Sequence, residues 1–218
     1  MTAKAVAIAQ QKGGAGKTTI AIQLGVTWAR QGHRVAMLDI DPQGSLAAWY
    51  DLRRKGSADG RLVAQAVQGW KLATEIDRLK GNFDILIVDT PPHAETDARV
   101  AIRAASLILV PVQPSPMDLW AITPTLTLAQ REKSSPLLVL NRLPSRGKLV
   151  DVIRGKIAEE NLPLAKASLG NRSAFAASML EGKGVVETQP KGAAAMEMRS
   201  LADEIGATIG LVARQAAE

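Results

Sequence analysis

Two features of the sequence predict an α/β fold: a single domain with a mostly parallel twisted sheet flanked by helices on both faces. Five short runs, residues 5–10, 34–40, 85–89, 107–112 and 137–141, are near-continuous in Val, Ile, Leu or Ala rather than alternating. Strands buried on both faces read that way. Helix-like stretches separate the runs, and a β-α alternation implies parallel strands joined by right-handed crossovers. A length of 218 residues fits one domain over 1–218 and is enough to bury a core without disulfides or metals.

The elements follow in order. Strand 5–10 runs into a glycine-rich loop and a helix over 17–31, with Gly32 where a C-terminal cap is expected. Strand 34–40 ends in paired aspartates and precedes a helix over 45–54. A weaker strand candidate, 62–66, and a helix over 73–80 capped at Gly81 lead to strand 85–89. A helix over 94–104, strand 107–112 and a helix over 118–133 come next. Pro124 lies inside that last pattern, so the helix should start late or kink there. Strand 137–141 is followed by a helix over 148–161, a second weak strand at 164–168, and helices over 173–181 and 193–215. No internal repeat or low-complexity linker interrupts the series.

Composition narrows the chemistry. The chain has no cysteine, which excludes a disulfide framework, a thiolate zinc site, an iron–sulfur cluster and a cysteine nucleophile. The apolar stretch near the N-terminus is too short for a signal-peptide core, and no run approaches the ~20 apolar residues of a membrane span. A cytoplasmic protein is expected. The net charge of +6 hints at a polyanionic partner. It is spread evenly: residues 1–109 hold 14 basic and 10 acidic side chains, and residues 110–218 hold 13 and 11.

Residues 10–19, Gln-Gln-Lys-Gly-Gly-Ala-Gly-Lys-Thr-Thr, stand between a strand and a helix. Gly16, Lys17 and Thr18 fit the end of the phosphate-loop pattern G-x-x-x-x-G-K-[ST], although Gln11 replaces its first glycine. Gly13, Gly14, Ala15 and Gly16 let the backbone N–H groups of the loop, with those of Lys17, Thr18 and Thr19, turn toward phosphate oxygens. The helix start adds its positive end. Lys17 can reach the β- and γ-phosphates, and the Thr18 hydroxyl can ligate Mg²⁺. Residues 84–92, Asp-Ile-Leu-Ile-Val-Asp-Thr-Pro-Pro, read as a Walker B strand whose Asp89 holds Mg²⁺. Asp39 and Asp41 leave a buried strand at its C-terminal end, where open α/β sheets bind ligands. Asp-Pro-Gln-Gly, from Asp41, is also good turn chemistry. Phosphate, metal and water-positioning groups would thus converge at one sheet edge, as phosphoryl transfer requires.

The second lysine of the loop, Lys12, completes Lys-Gly-Gly-x-Gly-Lys-Thr-Thr. This resembles the deviant Walker A loop of the ParA/MinD superfamily, and the resemblance extends from Val6 to about Ile205. It implies an ATPase in which Lys12 crosses a dimer interface to the partner's nucleotide, coupling nucleotide state to dimerisation. It places Asp41 in switch I, orienting the attacking water, Asp39 near the Mg²⁺ shell, and Thr90-Pro91-Pro92 in switch II. His93, next to these, is expected to be an exposed loop residue and His33 to be of no special purpose. GTPases carry Asn-Lys-x-Asp after the strand that here ends in Asn141-Arg142-Leu143-Pro144. With Pro144 at the guanine-reading position, ATP is favoured, and Asn141 and Arg142 are expected near adenine.

The segment Pro111–Leu119 resembles the Pro-rich stretch of small plasmid ParA proteins. The phosphate loop begins near residue 11, leaving no room before it for a helix-turn-helix domain, again like the short ParA subgroup. The resemblance then implies Mg²⁺ and ATP/ADP as cofactors, an ATP-dependent homodimer, non-specific DNA binding on the nucleoid, and a ParB-like or other adaptor that stimulates slow hydrolysis. DNA candidates are Lys166, Arg172, Lys183, Lys191 and Arg199. Arg53-Arg54-Lys55 reads as a cationic decoration of a helix end, and the four tryptophans as packing residues. A MinD-like membrane regulator would need a basic amphipathic tail, which residues 205–218 lack, so no stable membrane binding is expected. A metabolic ATP-dependent enzyme on the same fold is the other alternative.

Overall fold

The structure is a computed structural model that describes residues 3–56, 60–92, 95–212 and 214. Six parallel strands form one sheet: β1 (Lys4–Ile8), β2 (Val35–Asp39), β3 (Leu62–Ala66), β4 (Ile85–Asp89), β5 (Leu107–Val112) and β6 (Pro136–Leu140). Their spatial order is β3-β2-β4-β1-β5-β6. The weak candidate at 62–66 is therefore a full edge strand. The one at 164–168 is not a strand: only isolated bridges, Leu138 to Leu164 and Leu143 to Gly170, tie that segment to β6.

Ten helices are described: α1 (Lys17–Arg30), α2 (Ser45–Gly56), α3 (Leu72–Leu79), α4 (Glu95–Ala104), α5 (Pro116–Trp120), α6 (Thr123–Arg131), α7 (Leu149–Glu159), α8 (Ser173–Leu180), α9 (Val185–Thr188) and α10 (Ala193–Thr208). The single helix expected over 118–133 is two. Ser115 caps α5, its hydroxyl accepting from the Asp118 N–H, and Pro124 falls in the first turn of α6, where a missing N–H costs nothing. Gly32 takes the left-handed conformation at φ 90, as a C-terminal cap should, whereas Gly81 does not.

Strand side chains alternate between two packed faces. Val6, Ile8, Met37, Ile87 and Leu109 meet α1, α8 and α10 on one side. Ala7, Leu38 and Val88 meet α3 on the other, where Ile108, Val110 and Leu140 also meet α6 and α7. Helix α1 is buried along almost its whole length, so its polar groups need internal partners. Gln23 donates to the Phe175 carbonyl and the Ser178 hydroxyl and accepts from the Val185 N–H. The Trp28 indole donates to the Ala202 carbonyl. Gly25 lets α1 approach β2, since a Cβ there would lie 2.5 Å from the Met37 sulfur.

Two expectations about exposure are overturned. Arg53 is 2% exposed, and its guanidinium donates to both Glu187 carboxylate oxygens and the Gly182 carbonyl while lying over Trp49. It buckles α2 to α9 and decorates nothing. Of the tryptophans, Trp28 and Trp49 are packed, but Trp70 and Trp120 are 74% and 67% exposed. His33 is buried, and His93 lies outside the described residues.

Candidate functional site

Register builds the site. In the sheet Asp39 of β2 stands opposite Asp89 of β4, and Asp89 opposite Ile8 of β1. Two carboxylates and the start of the phosphate loop therefore share one level at the C-terminal edge. Chain order conceals this, because β4 inserts between β1 and β2.

The loop from Ala9 to Gly16 is fastened from the two strands on its far side. The Asn141 side-chain amide donates to the Ala15 carbonyl (2.9 Å), and the Gln113 amide to the Gly14 carbonyl (3.0 Å). Gly14 and Gly16 have φ of 76 and 95, where a side chain is strained. Gly16 has no spare room either, since a Cβ would stand 2.4 Å from the Asn141 amide nitrogen. Gly13 and Gly14 face open space within this chain.

Lys17 opens α1 and is buried; burial lowers its pKa, with the charges of Asp89 and Asp41 opposing. Asp89 is fully buried, and neither carboxylate oxygen has a partner at ordinary hydrogen-bond geometry, although the Thr18 hydroxyl lies close enough to favour its charged form. Burial pushes its carboxyl up to about 7, and nearby Asp39 adds to this, while the Thr18 hydroxyl and Lys17 pull it down. Asp39 is arranged differently. One oxygen accepts from the Asp41 N–H and the other from the Ala47 N–H, which shapes the turn into α2. Burial raises its pKa and those backbone bonds resist the rise. Asp41 is half-buried and accepts from the Gln43 N–H.

These residues fit a hydrated divalent cation and a phosphate chain. A buried carboxylate with neither oxygen paired leaves room for a cation or its water shell, and Asp89 is the one beside the threonine hydroxyl and the lysine of the loop. Asp89 and Thr18 suit direct or water-bridged contact; Asp39, bound to the backbone, suits the outer shell.

Lys12 does not lie free. Its ammonium contacts the Asp118 carboxylate at 2.7 Å, its side chain 38% exposed and that of Asp118 4%. The same Asp118 oxygen also accepts from the Ser115 hydroxyl, while the other is buried without a partner. Sequence reasoning quoted this segment without giving Asp118 a role. The Ser-x-x-Asp spacing, a helix-start signal, marked it.

Beyond Gly16 and Thr19 an open cavity of about 780 Å³ runs past Asn141 and Arg142 to Trp49, Phe175 and the 170–173 loop. Asn141 and Arg142 thus line one continuous space with the phosphate loop. Arg172, expected on a DNA surface, is exposed and also lines this cavity. Its guanidinium is held by Glu197 of α10, which also accepts from the Gly170 N–H. Among the other DNA candidates, Lys183 pairs with Glu181, the Arg199 guanidinium donates to the Pro190 carbonyl, and Lys166 and Lys191 are exposed.

The CobQ/CobB/MinD/ParA nucleotide binding domain matches residues 6–213. The chain belongs to this family. It is an ATPase of the ParA/MinD type. A "Maintenance of carboxysome distribution protein A" from Halothiobacillus neapolitanus is 32% identical over 212 residues, 92% of each chain. The "Chromosome-partitioning ATPase Soj" of Thermus thermophilus is 28% identical and covers 94% of this chain and 96% of its own. In fold, this ParA/MinD-type chain is similar to an ATP-bound variant of Cyanothece McdA, with a TM-score of 0.78 at 19% identity over 100% of this chain and 99% of that one. It is equally similar to the Mg-ADP complex of MinD from Pyrococcus horikoshii, with a TM-score of 0.78 at 19% identity over 96% and 98%.

Proposed function

We propose that this chain is an ATP-dependent positioning ATPase. It loads Mg²⁺-ATP, dimerises through its phosphate-loop face, binds DNA without sequence preference in that state, and releases it on adaptor-stimulated hydrolysis. The observation that carries this reading is the placement of Lys12. It stands beside two glycines that face open space, on a rim where α5 exposes Met117 (63%) and Trp120 (67%) on either side of Asp118. Such a rim suits a second copy of the chain, and there Lys12 is held by Asp118 of α5 with its side chain part-exposed.

When bound, Mg²⁺ would supply charge neutralisation at the β- and γ-phosphates. Lys17 stabilises negative charge on the transferred phosphoryl, and the loop N–H groups orient the phosphate chain. Thr18 and Asp89 would hold the cation. Asp39 fixes the turn that carries Asp41, and Asp41 orients the attacking water. Asn141 and Arg142 bound the base end of the cavity. In the dimer Lys12 exchanges Asp118 for the partner's nucleotide, so the closed state forms only when both subunits are loaded.

The cargo is a large assembly moved over the nucleoid, a protein body or a DNA molecule. Relatives named for carboxysome distribution and for chromosome partitioning cover this chain almost end to end. Among the described residues no helix is long and apolar enough to cross a membrane. The test is retention of the protein on non-specific duplex DNA with ATP, ADP or no nucleotide, alongside its size in solution. Retention and a dimer with ATP alone are expected; equal retention in all three conditions would sink the reading.

A further inference from the structure

The five C-terminal cations proposed above for DNA binding are not the densest free positive charge on the molecule. Between Glu132 and Asp151 the chain has no acidic residue and four basic ones, Lys133, Arg142, Arg146 and Lys148. Three of these fall in the loop that joins β6 to α7. Arg142, Arg146 and Lys148 are all exposed, and among the described residues none of their side chains makes a hydrogen bond or an ion pair. By contrast, Arg172 and Lys183 are each neutralised by a glutamate. Lys166 sits beside Glu204, whose carboxylate caps the N–H groups of Lys166 and Ala167.

The start of the loop is fastened. Arg142 has a left-handed backbone (φ 55) fixed by its N–H donating to the Asn141 side chain, and Gly147 turns at φ 134. The Leu143 N–H and carbonyl are both bonded to the 169–171 segment. Position matters as much as charge. The edge strand β6 carries the loop at the C-terminal edge of the sheet, lateral to the central phosphate loop. Residues 144–148 of the loop are all exposed in this chain. Arg142 lines the nucleotide cavity while Arg146 and Lys148 lie outside it. One loop thus touches the nucleotide space on one side and solvent on the other. Asp151 in the first turn of α7 is the nearest acid in sequence and leaves the loop net positive.

We infer that the 142–148 loop is the principal DNA-backbone contact of this protein, with Arg146 and Lys148 engaging phosphates and Arg142 linking that contact to the loaded nucleotide site. This rests on the DNA-binding reading above. Non-specific binding needs cations alone, with no base contacts, and unpaired cations serve it because they carry no internal partner to be displaced.

The test compares the double variant Arg146→Glu/Lys148→Glu with a control of equal charge change, Lys166→Glu/Lys191→Glu. Both are measured by fluorescence anisotropy on a 60-bp duplex with ATP across a salt series. Nucleotide affinity and ATP-dependent dimerisation are followed in parallel and should be unchanged in both. The loop variant should bind at least about tenfold more weakly, and the control within about threefold of wild type. The neutral pair Arg146→Gln/Lys148→Gln should lower the salt slope by about 2 per subunit, as expected for two lost phosphate contacts. Wild-type-like DNA binding by the loop variant overturns the inference, as does an equal loss in the control. So does a loop variant that no longer dimerises, or one that keeps its DNA affinity but loses adaptor stimulation, which would make the loop a protein dock. If wild-type protein itself ignores DNA with ATP, the functional reading fails and this inference with it.

Discussion

The two layers around α1 treat polar groups in opposite ways. Behind the sheet, in the α1, α8, α9 and α10 layer, Gln23 makes three contacts, the Trp28 indole one, and Arg53 a bidentate pair with Glu187, and the groups left unpaired are neutral ring nitrogens, Trp49 Nε1 and His33 Nδ1. At the C-terminal edge, Asp89 has no partner at ordinary hydrogen-bond geometry, one Asp118 oxygen has none, and Gly14 and Gly16 sit in the left-handed region. An unpaired ring nitrogen is a small local cost, whereas unpaired buried carboxylates mark a place kept for something else. Stability should therefore reside in the first layer and activity in the second.

Arg53→Ala should break the scaffold side hardest. It removes a buried guanidinium and leaves the half-buried Glu187 without its cation, a loss of about 3 kcal/mol in denaturant unfolding, and a cost under 1 kcal/mol would erase the contrast.

Asp89→Asn should act in the reverse sense. Unfolded, this carboxyl titrates near 4; folded, near 7. Below pH 4 both states hold the proton and the residue is neutral to stability. As pH rises from about 4 to about 7 the unfolded chain releases its proton first, so the nucleotide-free protein loses stability, and above 7 the full penalty of a few kcal/mol remains. The Asn variant should be more stable than wild type at pH 8, equal to it near pH 4, and at least a hundredfold slower in hydrolysis. Parallel melting curves from pH 4 to 8 would refute the assigned strain.

Gly13→Val should leave unfolding unchanged within about 0.5 kcal/mol, because nothing within the chain meets the new side chain. It should still abolish the ATP-dependent dimer in light scattering; a normal dimer would remove Gly13 from the subunit interface.

Asp118→Asn is the mildest. It frees Lys12 from a half-exposed ion pair worth about 1 kcal/mol or less. Dimerisation with ATP should occur at several-fold lower protein concentration, and an unchanged midpoint would mean that Asp118 does not restrain Lys12.

Much of this was legible in the residues. All five strong apolar runs became strands because burial on both faces leaves no alternation to misread. Gly-Lys-Thr-Thr and Asp89 declared themselves by their neighbours. What the sequence hid was pairing across distance. Arg53 looked like one of three cations at a helix end, since its partner lies 134 positions away. Arg172 looked like surface charge because Glu197 reaches it from α10. Asp39 and Asp89 could not be seen as neighbours until β4 was found between β1 and β2. The segment at 164–168 has a strand's composition, but it makes only isolated bridges to β6.

The fastening of the phosphate loop has a consequence for how the chain comes into being. Its first strand lies mid-sheet, between partners that are synthesised 80 to 100 residues later. The two amides that hold the loop come later still, at Gln113 and Asn141. A nascent chain on the ribosome thus exposes Gly-Lys-Thr-Thr long before anything braces it. The loop is braced only once β6 has emerged, so a fragment ending near residue 110 would carry the phosphate loop and both aspartate motifs and should still grip nucleotide poorly.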